Sequence, residues 1–470
     1  MPEYLLASVS KEKRRTIMEQ VPIFTSNHRQ LGDPGLETQG GIANSLMNKI
    51  GAEDRSVHGW YRFVLSFPPH LVDEYIKRFK IDGNKILLDP FCGTGTTLVQ
   101  AKKRGIPGVG IEANPMASFA SEVKVDWSPD PEALKSHARR ISGNVSEELR
   151  SAGLFDEPLL RLLSDERPSG LRKLDPEQGK LLLKNSISPL PLHKTLVLLE
   201  QIRKENHSAF YRHEMLALGK ALVNSIGNLR FGPEVGVGTI REDAPVLRLW
   251  QEEVATMADD LDLVKASANV SSVVHRADAR QMIDLLEPQS IDAVITSPPY
   301  PNEKDYTRTT RLELVLLGFV KNKAELQSLK KKLVRSNTRS VYKEDDDDQW
   351  IAGNERIREI ADRIEKRRIE LGKTSGFERL YARVTKLYFG GMFRHLRDMR
   401  TVLKPGARLA YVVGDQASYL QVMIRTGEIL GDIAHSLGYE VTGIDLFRTR
   451  LATATREQLR EEVVVLRWPG

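Results

Sequence analysis

Apolar residues recur at helical spacing in HLVDEYIKRF, where Leu71, Val72, Tyr75, Ile76 and Phe79 share one face, so the spacing predicts a helix over 70–79. The turn IDGN follows. KILLD (85–89) is then an apolar run of strand length, the mark of a parallel strand buried on both faces. It ends at Asp89 and opens into PFCGTGTT, and TLVQAKKRG continues as a helix. A second strand, GVGIE (108–112), ends at Glu112. Strand, Gly-rich loop, helix and a strand ending in an acid predict the start of a doubly wound α/β sheet.

The pattern changes over 128–268, where turn clusters (SPDPE, DERPSG, LDPEQG, ISPLPL) alternate with helical stretches. Met215, Leu218, Leu222 and Ile226 fall on one helical face, and NLRFGPEVGVGTI (228–240) is a Gly-rich loop or hairpin candidate. This stretch reads as a mostly helical insertion. The sheet pattern resumes with SSVVHRADA, read as a strand ending at Asp278, and with IDAVIT (291–296), which runs into Ser297-Pro298-Pro299-Tyr300. Two prolines directly after a strand stop the ladder and force a loop. TRLELVLLGF begins a helix, and 320–385 forms a second, charged insertion containing the helical NERIREIADRIEKRR. A helix over 391–403, the turn KPG, the strand ARLAYVVGD, a helix over 426–437 and the strands VTGIDLF and REEVVVLRW finish the sheet, the last two as a closing antiparallel hairpin. The expected divisions are an arm (1–56), sheet segments at 57–127, 269–319 and 386–470, and insertions at 128–268 and 320–385.

Composition narrows the class. Lys and Arg number 69 against 63 Asp and Glu, a net charge of +6 that excludes a polycation but leaves room for a local basic groove. The single cysteine, Cys92, rules out an intrachain disulfide, argues against a Cys-based zinc site and suits a reducing compartment. The start MPEYLLASVSKEKRR lacks the apolar core of a signal peptide, and no run reaches the ~18–20 apolar residues that span a bilayer, so the expectation is a soluble cytoplasmic protein with no membrane partner.

Three acids, Asp89, Glu112 and Asp278, end three predicted parallel strands, at the edge where open α/β sheets bind ligands. Gly93 and Gly95 let a ligand approach the backbone. An acid ending the second strand can take both ribose hydroxyls, and a third can accept from an adenine amino group. The loop lacks the GK[ST] of a phosphate-binding loop, so a nucleoside with a zwitterionic or cationic tail fits these carboxylates better than a polyphosphate. Each acid also has a plainer reading: Asp89 and Asp278 as helix caps, Glu112 as a solvated strand end.

DPFCGTGTT (89–97) resembles the S-adenosylmethionine loop of exocyclic-amino DNA methyltransferases, and TSPPY (296–300) resembles their catalytic motif. FPPHLV (67–72) is similar to the segment of that family near the methionine moiety. The likeness covers about 71–125, 270–319 and 386–470, and neither insertion. It implies a Rossmann-like class I sheet with S-adenosyl-L-methionine as cofactor. Asp89, Phe91, Gly93, Thr94 and Gly95 would belong to the cofactor site, Glu112 would hold the ribose and Asp278 would contact the adenine. Ser297 and the Pro298 carbonyl would accept from the target amino group, with Pro299 shaping the turn and Tyr300 stacking on the extruded base. The implied partner is double-stranded DNA with its target base flipped out, in a restriction-modification or phage-defence setting with partner proteins of that system. Ser at the motif's first position ranks N4-cytosine ahead of N6-adenine. Ring-carbon methylation needs a Cys nucleophile after the catalytic strand, whereas Cys92 lies in the cofactor loop and reads as a packing residue.

Two alternatives stay open: an RNA methyltransferase acting on guanine N2, and a non-catalytic nucleic-acid-binding subunit that kept the fold. The cofactor loop precedes the catalytic motif, and the chain ends on the hairpin, so target recognition is expected from the insertions or the arm. Lys321, Lys323, Lys330, Lys331, Lys332, Arg335, Arg339 and Lys343 read either as a solvated face or as phosphate contacts, with Asp345–Asp348 a solvated loop after them. Arg230, Phe231 and Arg241 are weaker DNA-contact candidates, His58, Trp60 and Tyr61 are expected to pack near the cofactor end, and Arg448 and Arg450 carry no assigned role.

Overall fold

The computed structural model describes residues 51–470 apart from 52–53, 64–65, 159–168, 233, 303 and 452–457. The arm expected at 1–56 therefore lies almost wholly outside the described residues. Nine strands occur among the described residues: β1 Leu87–Asp89, β2 Gly108–Ile111, β3 Leu229–Arg230, β4 Gly236–Val237, β5 Ser272–His275, β6 Ile291–Thr296, β7 Leu403–Gly414, β8 Glu440–Leu451 and β9 Gln458–Arg467. The helices of eight or more residues, with one six-residue helix needed below, are α1 Pro69–Phe79, α2 Thr96–Lys103, α3 Pro115–Lys124, α4 Pro131–Ser151, α5 Pro189–Lys204, α6 Tyr211–Ala221, α7 Val246–Val264, α8 Arg311–Leu316, α9 Lys323–Lys331, α10 Glu355–Glu370, α11 Tyr381–Val402 and α12 Thr426–Ser436.

Seven strands form one sheet in the order β5-β2-β1-β6-β7-β9-β8, and β3 with β4 forms a separate two-stranded ribbon. The first five strands of that order are parallel, β9 runs against β7, and β8 pairs antiparallel with β9. Chain connections leave in opposite directions from β1 and β6, which makes their shared C-terminal edge the switch point where an α/β sheet opens a crevice. Leu87 pairs with Ala293 and Leu88 with Val294. The Gly-rich loop and the SPPY loop therefore emerge side by side although the insertion of 128–268 separates them in sequence.

The period of two along the strands sorts the core. Leu87, Ala293, Ile295, Ala410 and Val412 face the buried stripe of α1. Leu88, Val294, Leu409, Tyr411 and Val413 face the layer of α10, α11 and α12. The helices of 131–264 share a continuous core with Leu98 of α2, Met116 and Val123 of α3 and Leu312 of α8.

Four local expectations change. β5 ends at His275, its partner Ile111 being the last strand residue of β2, and Asp278 lies in the following turn. β7 begins at Leu403, with Lys404–Gly406 inside it at a register shift and Gly406 at φ +86°. The helix expected over 391–403 begins at Tyr381, because Val384, Leu387 and Tyr388 extend its buried face upstream. Finally, Asp345–Asp348 is not a solvated loop. Asp347 is 4% exposed and sits under α11, where a Cβ at Gly390 would overlap its carbonyl.

Candidate active site

The loop after β1 is held from three sides. Gly93 (φ +51°) and Gly95 (φ +84°) adopt the left-handed region, and a Cβ on Gly95 would lie 2.6 Å from Ser121 Oγ of α3. Glu112, directly after β2, reaches back: its Oε2 accepts from the Gly93 amide at 3.0 Å and its Oε1 from the Asn114 amide at 2.7 Å. Lys124, fully buried, donates to the Thr94 carbonyl at 2.7 Å. Burial pulls the Lys124 ammonium down to about 7 and pushes the Glu112 carboxyl up to about 7.

A cavity of about 490 Å³ opens over this loop, and Phe91, Gly93, Thr94, Glu112, Asp278 and Ser297–Tyr300 all line it. Nine of the eleven residues singled out from the sequence thus share one space. Asp89 and Gly95 stand behind its wall. Asp89 is fully buried, accepts from the Thr296 hydroxyl at 2.6 Å and the Phe91 amide at 3.2 Å, and has its Oδ2 unpartnered. Burial lifts its carboxyl to about 6.

Asp278 is tied by both carboxylate oxygens to Arg280, at 2.9 Å to Nε and 2.6 Å to Nη2. Arg280 pairs in turn with Asp347, which also holds Arg394 at 2.6 Å. Next to this wall Phe91 packs on His395 with ring centroids 4.8 Å apart, and His395 contacts the Ala279 carbonyl at 2.9 Å and the Tyr411 hydroxyl at 2.7 Å. Burial holds His395 neutral, down to about 4.

On the opposite side, Ser297 donates its hydroxyl to the Val412 carbonyl at 3.1 Å. The Tyr300 ring lies over Gly414, where a Cβ would come within 3.0 Å of Cε2. Gln416 and Asn337, both buried, line the same cavity with Gln416 Nε2 and Asn337 Oδ1 unpartnered. Arg448 and Arg450 line it as well, with Arg448 bonded to Glu461 at 2.6 Å. Cys92 is buried at 4% exposure, its Sγ 3.5 Å from Ser121 Oγ, and burial raises its thiol well above the ordinary range, so it packs rather than attacks.

Sequence reasoning missed Thr296, Lys124, Arg280, Asp347, His395, Gln416 and Asn337. It also missed Asn114, which lines the cavity and did carry a local signal as an N-cap before Pro115 at the first helical position. Half of the basic run is paired internally: Lys330 with Asp305 at 2.7 Å, Lys331 with Glu344 at 2.5 Å, Arg335 with Asp345 at 2.8 Å and Arg339 with Glu234 at 3.3 Å. Lys321, Lys323, Lys332 and Lys343 remain exposed. The Arg241 guanidinium donates to the Gly227 carbonyl and its amide to Asn228 Oδ1 at 2.8 Å, while Arg230 is exposed on the ribbon. His58, Trp60 and Tyr61 are buried, with Trp60 donating to Asp260 at 2.8 Å.

Comparison with known proteins supports a DNA methyltransferase enzyme of the exocyclic-amino type. Residues 39–120 match the DNA methylase family that groups N6 and N4 enzymes. The chain is 25% identical over 473 residues to the type II methyltransferase M.BsoBI of Geobacillus stearothermophilus, covering 90% of this chain and 86% of that one. It is 24% identical over 464 residues to the type II methyltransferase M.AvaI of a Nostoc species, covering 91% and 90%. A shorter match, 41% identical over 71 residues, joins 15% of the chain to the type II methyltransferase M.MjaII of Methanocaldococcus jannaschii. Among the described residues no helix is long and apolar enough to cross a membrane.

Proposed function

We propose that the protein is a site-specific DNA methyltransferase that uses S-adenosylmethionine to methylate the N4 amino group of a cytosine extruded from duplex DNA, within a cytoplasmic restriction-modification system. The cofactor fits the residues present. Thr94 Oγ1 is buried, unpartnered and part of the cavity wall. Gly93 leaves open space where a Cβ would stand. The carboxyl oxygens of Glu112 and Asp278, although Asp278 is paired with Arg280, are acceptors that suit hydroxyl and amino groups rather than a phosphate. Thr94 and Gly93 would hold its methionine end, Glu112 its ribose hydroxyls, and Phe91 with Asp278 its adenine. When bound, this cofactor supplies an electrophilic methyl group on a sulfonium.

The observation that carries the catalytic reading is the bond from Ser297 to the Val412 carbonyl. An exocyclic amine is a poor nucleophile because its lone pair is delocalised into the ring. Ser297 commits its proton to Val412, which leaves the lone pairs of its oxygen to serve as acceptors. Together with the Pro298 carbonyl it would take both N–H groups of the amine, which favours a pyramidal nitrogen with a localised lone pair. Most of the rate would come from such positioning and fixed dipoles. Tyr300, braced over Gly414, would offer the extruded base a stacking face that offsets part of its lost stacking.

The test is transfer of labelled methyl to DNA by purified protein. Wild type should label a duplex, and the double variant Ser297→Ala with Tyr300→Ala should not, while still binding cofactor. Equal transfer by the double variant would refute these roles.

A further inference from the structure

A second cavity, of about 300 Å³, adjoins the first and shares Asp305 with it. Four cations line it: Arg308, Arg311, Lys330 and Arg339. Their partners do not balance them. Lys330 is matched by Asp305 at 2.7 Å. Arg308 and Arg339 share one carboxylate, Glu234 in the turn of the β3–β4 ribbon, each at 3.3 Å. That spacing exceeds the ~2.7–2.9 Å of a tight charge-assisted bond. Arg311 has only neutral acceptors, the Thr307 carbonyl at 3.0 Å, the Thr307 hydroxyl at 3.1 Å and the Leu181 carbonyl at 3.4 Å. Three guanidinium groups and Lys330 therefore share two carboxylates among the described residues, Asp305 bonded to Lys330 and near Arg311, and Glu234 held loosely and half exposed on a two-stranded ribbon.

We propose that Arg308, Arg311 and Arg339 form a site for one DNA backbone phosphate, and that Glu234 occupies it in the free protein as an internal stand-in. This rests on the DNA-methylating reading of the adjoining site. A guanidinium fork matches two phosphate oxygens as it matches a carboxylate. Glu234 and Asp305 also line the active-site cavity, so the cluster lies beside the SPPY loop, where an extruded nucleotide brings its flanking phosphates. The site accounts for where the DNA-facing charge resides once half of the 321–343 run is neutralised. It sits on the turn and helix after the catalytic loop and on one arginine of that run. Binding exchanges Glu234 for phosphate, so the ribbon swings off the cluster as the duplex arrives.

Fluorescence anisotropy with a labelled duplex, run on the full chain across a salt series, tests this. The double variant Arg308→Gln with Arg339→Gln should bind DNA more weakly and lower the slope of log K against log salt by about 0.9, the loss of one phosphate contact. Glu234→Gln should bind the same duplex several-fold more tightly than wild type. Both variants should keep wild-type cofactor affinity and melting temperature. A purely structural set of ion pairs predicts the reverse for Glu234→Gln, a less stable protein with no gain in affinity. An unchanged slope in the double variant, or no tightening in Glu234→Gln, overturns the site while wild-type methyl transfer leaves the methyltransferase reading standing. A wild type that neither binds nor methylates DNA overturns both.

Discussion

The Thr296 hydroxyl donates to Asp89 Oδ1 at 2.6 Å, joining the ends of two neighbouring strands 207 positions apart in the chain. Thr296 immediately precedes the SPPY motif, and Asp89 immediately precedes the Gly-rich loop. The bond thus ties the SPPY loop to the Gly-rich loop at the sheet edge. Burial raises the Asp89 carboxyl to about 6, and the Thr296 bond pulls it back only in part. Its folded value lies above its unfolded one, so the folded state holds this proton more tightly and stability falls as pH rises from about 4 through 6. Thr296→Val removes the donor and disfavours the charged form further. The expected cost is about 1–3 kcal/mol in urea unfolding, larger at pH 8 than at pH 5 where Asp89 is protonated. The same loss at both pH values would contradict this.

In its proposed role of holding the ribose, Glu112 should give cofactor binding a pH dependence. Burial lifts its carboxyl to about 7, while the Asn114 and Gly93 amides oppose that lift. Two ribose hydroxyls are accepted better by the charged form than by the neutral acid, so affinity is full above about 7 and declines as pH falls through it. Titration calorimetry at pH 6 and pH 8 should show tighter binding at pH 8, with proton release near neutrality. Glu112→Gln should bind weakly with a flat profile. A flat profile in wild type would place the ribose elsewhere.

Gly95→Ala tests the loop's shape. Alanine meets both a φ of +84° and Ser121 Oγ at 2.6 Å, with Ser121 Cα at 3.2 Å preventing relief by a rotamer change alone. A loss of about 2–4 kcal/mol in stability is expected, together with weakened cofactor binding. Unchanged melting and cofactor affinity would show that the loop has another low-energy form.

Gln416 has the opposite signature. Its Nε2 is buried without a partner beside the target-base side of the cavity, so it makes no bond to lose in the free protein. Gln416→Leu should be neutral or stabilising in denaturant titrations. If the amide reads an acceptor on the target base, kcat/KM should nonetheless fall by about tenfold or more, the cost of one buried hydrogen bond. A destabilised variant with normal turnover would reverse that assignment.

The parallel sheet with its closing hairpin, and the meeting of the two loops at one edge, were legible because strand-length apolar runs ended in Asp89, Glu112 and Ser297, and parallel pairing brings such ends to one edge. What stayed hidden depended on partners far apart in sequence. Asp347 read as solvated because runs of like charge usually are, yet Arg280 and Arg394 meet it across 67 and 47 positions. Arg335 read as either a solvated or a phosphate-contacting residue and is instead buried and bound to Asp345. Gly390 carried no local sign that the Asp347 loop crosses α11 there. Asn337 and Gln416 matter because their polar atoms lack partners, which is a property of packing and not of spacing.

The central claim is methyl transfer to an exocyclic amino group, and nucleoside mass spectrometry of DNA methylated by the purified protein tests it most directly. The account predicts N4-methylcytosine, absent when Ser297→Ala replaces wild type. N6-methyladenine would keep the mechanism and overturn the choice of base. 5-Methylcytosine would contradict the account outright, since Cys92 is buried in the cofactor loop and no other cysteine exists in the chain to attack the ring.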